Sequence, residues 1–117
     1  MAAGPRTTYL HGTRASVKLF AVIASFGDKA TRDLFDGTDS KEARSIPKGL
    51  WHVAHRKLDM LAAAHDLMDL RAPPSNRLEK LKGDLAGFWS IRVNEQYRLI
   101  FKFANGNAND VRIVDYH

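Results

Sequence analysis

Residues 81–101, with the sequence LKGDLAGFWSIRVNEQYRLIF, decide the fold of this 117-residue chain. In the middle of this stretch apolar and polar side chains alternate, so that Trp89, Ile91 and Val93 share one face of a predicted strand. A polar turn follows, and the alternation then resumes through Phe101. The pattern predicts two antiparallel strands that present an apolar face to a core.

The opposite face of these strands carries positive charge. Arg92, Arg98 and Lys102 fall on it, which suits a polyanionic partner. A solvated sheet face has the same composition, so the pattern alone leaves both interpretations open.

Two helices and three further strands are predicted elsewhere. One helix covers 29–36, with Asp28 as its N-cap and Gly37 at its end. The other runs from 46 to 70, with Ser45 as its cap, and ends before the two prolines at 73–74. The remaining strands are expected at 21–26, at 77–81 and after the turn Asn105-Gly106-Asn107. This order predicts an α+β domain in which two helices pack on one face of a curved, mainly antiparallel sheet of four to five strands.

Composition limits the class of protein. The length favours one domain, and the net charge is +5 at pH 7. Residues 71–102 concentrate that charge, with seven basic and three acidic side chains. The chain has no cysteine, which excludes disulfides and cysteine-based zinc sites and is compatible with the cytoplasm that we expect as its location. No apolar run reaches the length of a membrane span, so no membrane association is expected.

Metal and nucleotide sites are weakly supported. His52 and His55 lie one helical turn apart, but no carboxylate in register completes a metal site, and a solvated helix face is the favoured interpretation. The glycines Gly83 and Gly87 flank a strand turn instead of opening a helix, which argues against a phosphate-binding loop. We therefore predict neither a metal nor a cofactor.

Five residues with basic or hydroxyl-bearing side chains remain as candidates for a catalytic site. They are Lys82, Arg92, Arg98, Tyr116 and His117. Internal cleavage of RNA needs a base for the 2′-hydroxyl proton, cations for the charge that builds on the phosphate, and an acid for the leaving 5′-oxygen. Histidine titrates near neutrality, and arginine binds phosphate in a bidentate manner. The competing interpretation of the last two residues is a frayed chain end.

Several motifs of the chain resemble the HigB-type toxins, or plasmid maintenance killer proteins, of the RelE/ParE toxin–antitoxin superfamily. They are Arg77-Leu78-Glu79-Lys80-Leu81-Lys82-Gly83-Asp84, the aromatic-Ser-Ile-Arg-Val strand, Gln96-Tyr97-Arg98, and the ending Val111-Arg112-Ile113-Val114-Asp115-Tyr116-His117. The resemblance extends upstream through 23–31 and 56–61, and it covers 22–117.

The resemblance implies a microbial-ribonuclease-like α+β fold and metal-independent cleavage of mRNA on the ribosome. It also implies neutralisation by a HigA-like helix-turn-helix antitoxin, with operator DNA reached only through the toxin–antitoxin complex. The family's catalytic residues fall on His117, Tyr116, Lys82 and Arg98. We expect further contacts with RNA phosphates from Arg92, Lys80, Arg77 and Lys102.

Two positions depart from the family pattern. Glu79 stands where some members carry a histidine, and Asn94 stands where a further arginine is expected, for which the nearby Arg92 is a candidate substitute. Both departures affect the expected catalytic efficiency. Two alternative functions therefore remain: a ParE-like toxin that poisons DNA gyrase without cutting RNA, and a degenerate family member that only binds its antitoxin.

The first 21 residues have no periodicity, and we predict a flexible extension there, followed by the toxin domain at 22–117. Family members typically begin near the first strand. We therefore expect the natural start to lie at or near Val22, so that an intact peptide from residues 2–20 is absent from the native protein.

Overall fold

A computed structural model of the chain describes residues 22–116. The expected extension at 1–21 and the last residue, His117, lie outside the described residues. The helices and strands are β1 (Val22–Ile23), α1 (Lys29–Asp36), α2 (Trp51–Ala63), β2 (Glu79–Lys80), β3 (Trp89–Arg92), β4 (Tyr97–Ala104) and β5 (Asn107–Asp115). Five short 3-10 helices connect them.

The strands form one sheet in the order β1-β5-β4-β3-β2. The pairings β2–β3, β3–β4 and β4–β5 are antiparallel, whereas β1 runs parallel to β5. Asn105 and Gly106 form the tight turn between β4 and β5, both with positive φ, as the hairpin motif predicts. The predicted α+β class, with two helices on a mainly antiparallel sheet, is confirmed.

The main core lies between the two helices and one face of the sheet. Leu58 and Leu61 of α2 and Leu34 of α1 pack against Leu99 and Phe101 of the sheet. Trp89, Ile91 and Val93 face this core, as the alternation predicts, although Trp89 is only partly buried. The other face of the sheet has a smaller apolar cluster of Leu81, Phe88 and Ile100.

Helix α1 has the predicted bounds. The Asp28 carboxylate accepts a hydrogen bond from the Thr31 amide at 2.8 Å, and Gly37 ends the helix in the left-handed conformation. Such a cap satisfies amides that the first turn leaves without helical partners. The segment between the helices is held separately, by the Asp33 carboxylate accepting from Ser40 Oγ at 2.6 Å.

Helix α2 is shorter than the apolar spacing predicts. Ser45 belongs to a preceding 3-10 helix, α2 begins at Trp51, and it ends at Ala63 instead of residue 70. The apolar positions after Ala63 belong to another 3-10 helix, Leu67–Arg71, whose cap Asp66 accepts from the Met68 amide. The predicted helix is therefore divided into α2 and a separate 3-10 helix with its own cap at Asp66, which the apolar period alone does not reveal.

Candidate anion-binding site

Three strand ends meet beside a cavity of about 290 Å³. We call this the arginine cleft, and its lining residues are Arg77, Arg92, Asn94, Glu95, Arg98 and Tyr116. Arg92 ends β3, Arg98 lies second in β4 directly opposite it, and Tyr116 follows β5. Cross-strand neighbours project from the same face, so the antiparallel register places both guanidinium groups at one end of the sheet.

Arg98 is the most constrained of these cations. Its side chain is 13% exposed, its Nη2 donates to the Arg77 carbonyl at 2.6 Å, and its Nη1 lies 3.7 Å from the Glu79 carboxylate. The guanidinium carbon lies 5.8 Å from the centroid of the Tyr116 ring, within range of a cation–π interaction. Burial lowers the pKa of Arg98 from its ordinary value, while Glu79 opposes that shift. An arginine nevertheless stays charged at neutral pH.

The turn between β3 and β4 fixes the position of Tyr116. The Asn94 side-chain oxygen accepts from the amides of Gln96 at 2.9 Å and Tyr97 at 2.7 Å, which closes the turn. The Gln96 carbonyl then accepts from the Tyr116 amide at 2.6 Å, and the Gln96 side chain donates to Asp115 at 3.0 Å. The chain end is therefore tied to the turn at Tyr116. Asn94, which replaces an expected arginine, has a structural role here.

A buried network supports Arg77, which has a left-handed backbone at φ 47°. The preceding residue, Asn76, is fully buried and donates to the carbonyls of Leu70 at 3.1 Å and Ala72 at 3.3 Å. Its side-chain oxygen accepts from the ammonium group of Lys57 on α2. These hydrogen bonds fix the loop 70–77. The Arg77 carbonyl in this loop accepts the hydrogen bond from Arg98.

A second cavity, of about 240 Å³, adjoins the arginine cleft. We call it the lysine cleft, and it is lined by Val53, Arg56, Lys57, Ser75, Arg92, Val93 and Asn94. Arg92 and Asn94 line both cavities, so the two form neighbouring parts of one surface.

The structure brings together four of the eight predicted site residues, namely Arg77, Arg92, Arg98 and Tyr116. His117, outside the described residues, follows Tyr116 directly in the chain. The other three lie elsewhere. Lys82 is an exposed residue before the 3-10 helix Gly83–Leu85, and Lys80 lies opposite Trp89, on the helix side of the sheet.

Lys102, the last of the eight, lies further along β4 from the cleft. Its Nζ lies 5.1 Å from the centroid of the Phe88 ring and 3.8 Å from the Asp110 carboxylate. Phe88 itself is 6% exposed and belongs to the smaller apolar cluster, so it offers no free ring for stacking on a base.

Sequence reasoning missed Arg56, Lys57 and Ser75, which line the lysine cleft. The pair Arg56-Lys57 sits in the most regular helical pattern of the chain, where charges are normally solvated. Only the packing of the loop 70–77 against α2 shows that Lys57 is buried. The neighbouring His55 has a structural environment, since its Nε2 lies 3.0 Å from the Phe35 carbonyl and its ring stacks on Phe35.

The described residues 22–116 contain no helix long and apolar enough to cross a membrane. In the same range no group of three or more histidine or acidic side chains is arranged to hold a metal ion. The side chains of Arg77, Arg92 and Arg98 give the arginine cleft positive charge, on an open surface that a phosphate can approach.

The fold and the cleft define a small α+β protein with arginines gathered at its strand ends, and comparison with known proteins identifies the family. A family model described as the RelE-like toxin of the type II toxin–antitoxin system HigB matches residues 24–117. The chain belongs to this HigB-like toxin family. As a toxin of a type II system, it has an antitoxin as its partner.

Individual relatives are similar over most of the chain. Toxin HigB-1 of Vibrio cholerae is 47% identical over 83 residues, which cover 71% of this chain and 85% of that protein. Endoribonuclease HigB of Proteus vulgaris is 46% identical over 98 residues, 82% of this chain and 100% of that protein. A chain of the YoeB-YefM complex from Staphylococcus aureus aligns at 19% identity with a TM-score of 0.47, covering 86% of this chain and 99% of that one.

Proposed function

We propose that this toxin is an endoribonuclease that cleaves mRNA on the ribosome and is neutralised by a HigA-like helix-turn-helix antitoxin. The toxin reaches operator DNA only through that antitoxin. Family membership and the similarity to the Proteus vulgaris endoribonuclease support the reaction class. The single structural observation that carries the proposal is the arginine cleft, where three arginines and Tyr116 line one cavity and the Arg98 guanidinium lies 5.8 Å from the centroid of the Tyr116 ring.

The proposed chemistry is a transesterification. The 2′-oxygen attacks the adjacent phosphorus, the bond from phosphorus to the 5′-oxygen breaks, and a 2′,3′-cyclic phosphate and a 5′-hydroxyl result. Guanidinium groups of Arg98 and Arg92 stabilise the negative charge that builds on the phosphate oxygens. Because these side chains supply the positive charge, the proposed reaction needs no metal ion.

Proton transfer is assigned to the chain end. His117 and Tyr116 take the proton from the 2′-hydroxyl and return one to the leaving 5′-oxygen, since imidazole and phenol groups both donate and accept protons. The hydrogen bond from the Tyr116 amide to the Gln96 carbonyl holds Tyr116 beside Arg98, which supports a role for Tyr116 at the same phosphate as the cations. Lys82 remains a proposed contributor that reaches the bound RNA from outside the cleft.

The test is to map RNA 5′ ends after brief expression of wild-type protein and of His117→Ala. We expect in-frame cuts within translated codons for the wild type and a large loss of these cuts for the variant. Circular dichroism of both proteins serves as the control for folding. Intact mRNA together with a DNA-damage response would contradict the proposal and support gyrase poisoning, and an absence of growth arrest would indicate a member that only binds its antitoxin.

A further inference from the structure

We propose that the lysine cleft is a second anion subsite, which binds a phosphodiester group of RNA away from the bond that is cleaved. The inference rests on the proposed function, since it takes RNA as the polyanion. It concerns residues of α2 that the catalytic assignment does not use.

The charge of Lys57 is the first argument. Lys57 is 5% exposed, and its ammonium donates to the neutral side-chain oxygen of Asn76. Within residues 22–116 no carboxylate lies within ion-pair distance of it. Burying an ammonium group without a counter-charge is costly, and an ammonium group has three donors. Burial, together with the neighbouring Arg56, lowers the pKa of Lys57, which is the shift expected where negative charge is lacking.

The lining of the cleft is the second argument. Arg56 and Arg92 add two guanidinium groups, and neither forms an ion pair with an acid in the described part of the chain. Ser75 supplies an exposed hydroxyl, and none of the acidic side chains that the structure describes lines this cavity. A site with three cations, a hydroxyl donor and no carboxylate has the composition of a phosphate-binding site.

Continuity with the arginine cleft is the third argument. Arg92 and Asn94 line both cavities, so a strand bound with its reacting phosphate at Arg98 and Arg92 has an adjacent phosphate position toward Arg56 and Lys57. Successive phosphates of a single strand carry one charge each, and a row of cations at matching intervals holds such a strand. The lysine cleft therefore extends the binding surface from one phosphate to at least two.

Binding of uncleavable RNA measures this extension directly. The probes are fluorescent 2′-O-methyl oligonucleotides of two, four and six nucleotides, and the proteins are the full-length wild type, Arg56→Gln and Lys57→Gln. Arg71→Gln is the matched control, because Arg71 is exposed and lines neither cleft. Lys57→Gln keeps a donor for Asn76, and its thermal unfolding is recorded alongside.

We expect wild-type affinity to rise with length, and both cleft variants to lose about tenfold for the hexanucleotide but less than twofold for the dinucleotide. Each lost phosphate contact lowers the slope of log affinity against log salt by about 0.7 for a single strand. If Lys57→Gln is unstable, the binding data for Arg56→Gln alone test the subsite, because the Arg56 side chain is exposed and its replacement leaves the core unchanged.

Binding to ribosomes distinguishes the two sources of the phosphate. Variants that bind oligonucleotides normally but bind ribosomes at least fivefold more weakly assign the phosphate to ribosomal RNA and retain the subsite. If the cleft variants bind both oligonucleotides and ribosomes with wild-type affinity and salt slope, the proposed subsite is refuted. Cleavage by the wild type in a translating extract is scored separately, so failure of the proposed reaction is distinguishable from failure of the subsite.

Discussion

Arg98 is both largely buried and charged, and the groups around it hold its guanidinium in a fixed orientation. Two carbonyl oxygens, of Arg77 and Ser90, lie 2.6 and 3.5 Å from its Nη2. Its Nε is buried without a hydrogen-bond partner among the described residues. A buried donor without a partner lowers the stability of the folded state. In the proposed reaction, a guanidinium group held in this way is oriented before RNA binds, so little reorganisation is needed when charge builds on the phosphate.

The first prediction compares two cations. Arg98→Gln should lower the rate of RNA cleavage about 100- to 1,000-fold, the usual effect of removing one pre-oriented donor to a developing anion. Lys82→Gln should have a smaller effect, because Lys82 does not line the cleft. Cleavage of one mRNA in a translating extract measures both, with Lys41→Gln as an exposed control. An equal or larger loss for Lys82→Gln would contradict the ranking.

Most of the residues that line this site could be predicted from the sequence. The position of the others depends on features that the sequence pattern does not show. Alternation places Arg92 and Arg98 on one face, and the strand register then makes them neighbours. Lys80 and Lys82 looked equivalent because they lie in the same motif. The second strand is only two residues long, and Lys80 lies on its helix side, so proximity in sequence does not place either lysine in the cleft.

At the scale of elements, the loop between α2 and β2 is the part that sequence patterns describe least well. Its conformation depends on Asn76, whose side chain bonds with Lys57 and Met60 of α2 and with the carbonyls of Leu70 and Ala72 in the loop itself. No local pattern marks an asparagine that is fully buried. By contrast, Asp28 and Gly37 signal the ends of α1 through their own backbone preferences, and that helix has the predicted bounds.

The second prediction concerns this loop. Asn76→Ala removes every hydrogen bond of this side chain and leaves the Lys57 ammonium without its partner, so we expect it to lower the free energy of unfolding by about 3 kcal/mol. Because the Arg77 carbonyl is no longer fixed, RNA cleavage should also fall. Urea unfolding measures the first effect, with Ser75→Ala as the control, expected within about 0.5 kcal/mol of wild type. Unchanged unfolding in Asn76→Ala would show that the network contributes nothing.

The third prediction concerns pH and the segment after α1. Asp33 accepts hydrogen bonds from Lys29 and Ser40, and these two bonds, that from Lys29 first, lower the pKa of its carboxyl. The stabilisation is therefore complete above the unfolded-state pKa of about 4 and is lost as the pH falls through the lower folded-state value.

Asp33→Asn should accordingly destabilise the protein at pH 7 and lose that difference at the acid end. Urea unfolding from pH 2.5 to 7 measures it, and Asp36→Asn, at the exposed end of the same helix, is the matched control. A constant difference between Asp33→Asn and wild type across this range would refute the assignment.

At the scale of the whole molecule, the distribution of charge matters more than its total. The net charge is only +5, yet five cations line the two adjoining clefts, namely Arg56, Lys57, Arg77, Arg92 and Arg98. Among residues 22–116, Glu95 is the single acidic side chain that lines either cleft. A linear sequence shows the cluster at 71–102, but the contribution from α2 depends on packing between elements far apart in the chain.

The fourth prediction follows from this clustering. RNA binding should weaken with salt, with log affinity falling against log salt at a slope of about −1.4 to −2.8, as two to four neutralised phosphates give. Fluorescence anisotropy with an uncleavable hexanucleotide between 50 and 300 mM KCl measures the slope. A slope near zero would exclude a binding mode dominated by phosphates, whatever the affinity.

The parallel pairing of β1 with β5 has a consequence for biosynthesis. Val22 and Ile23 pair with Asn107 and Ala108, so the first described strand gains its partner only when the last one is available. Tyr116 follows that last strand directly. While β5 is still inside the exit tunnel of the ribosome, its neighbours β1 and β4 lack their shared partner and the sheet cannot close. We therefore expect the nascent chain to complete the arginine cleft only after residues 107–116 have left the tunnel.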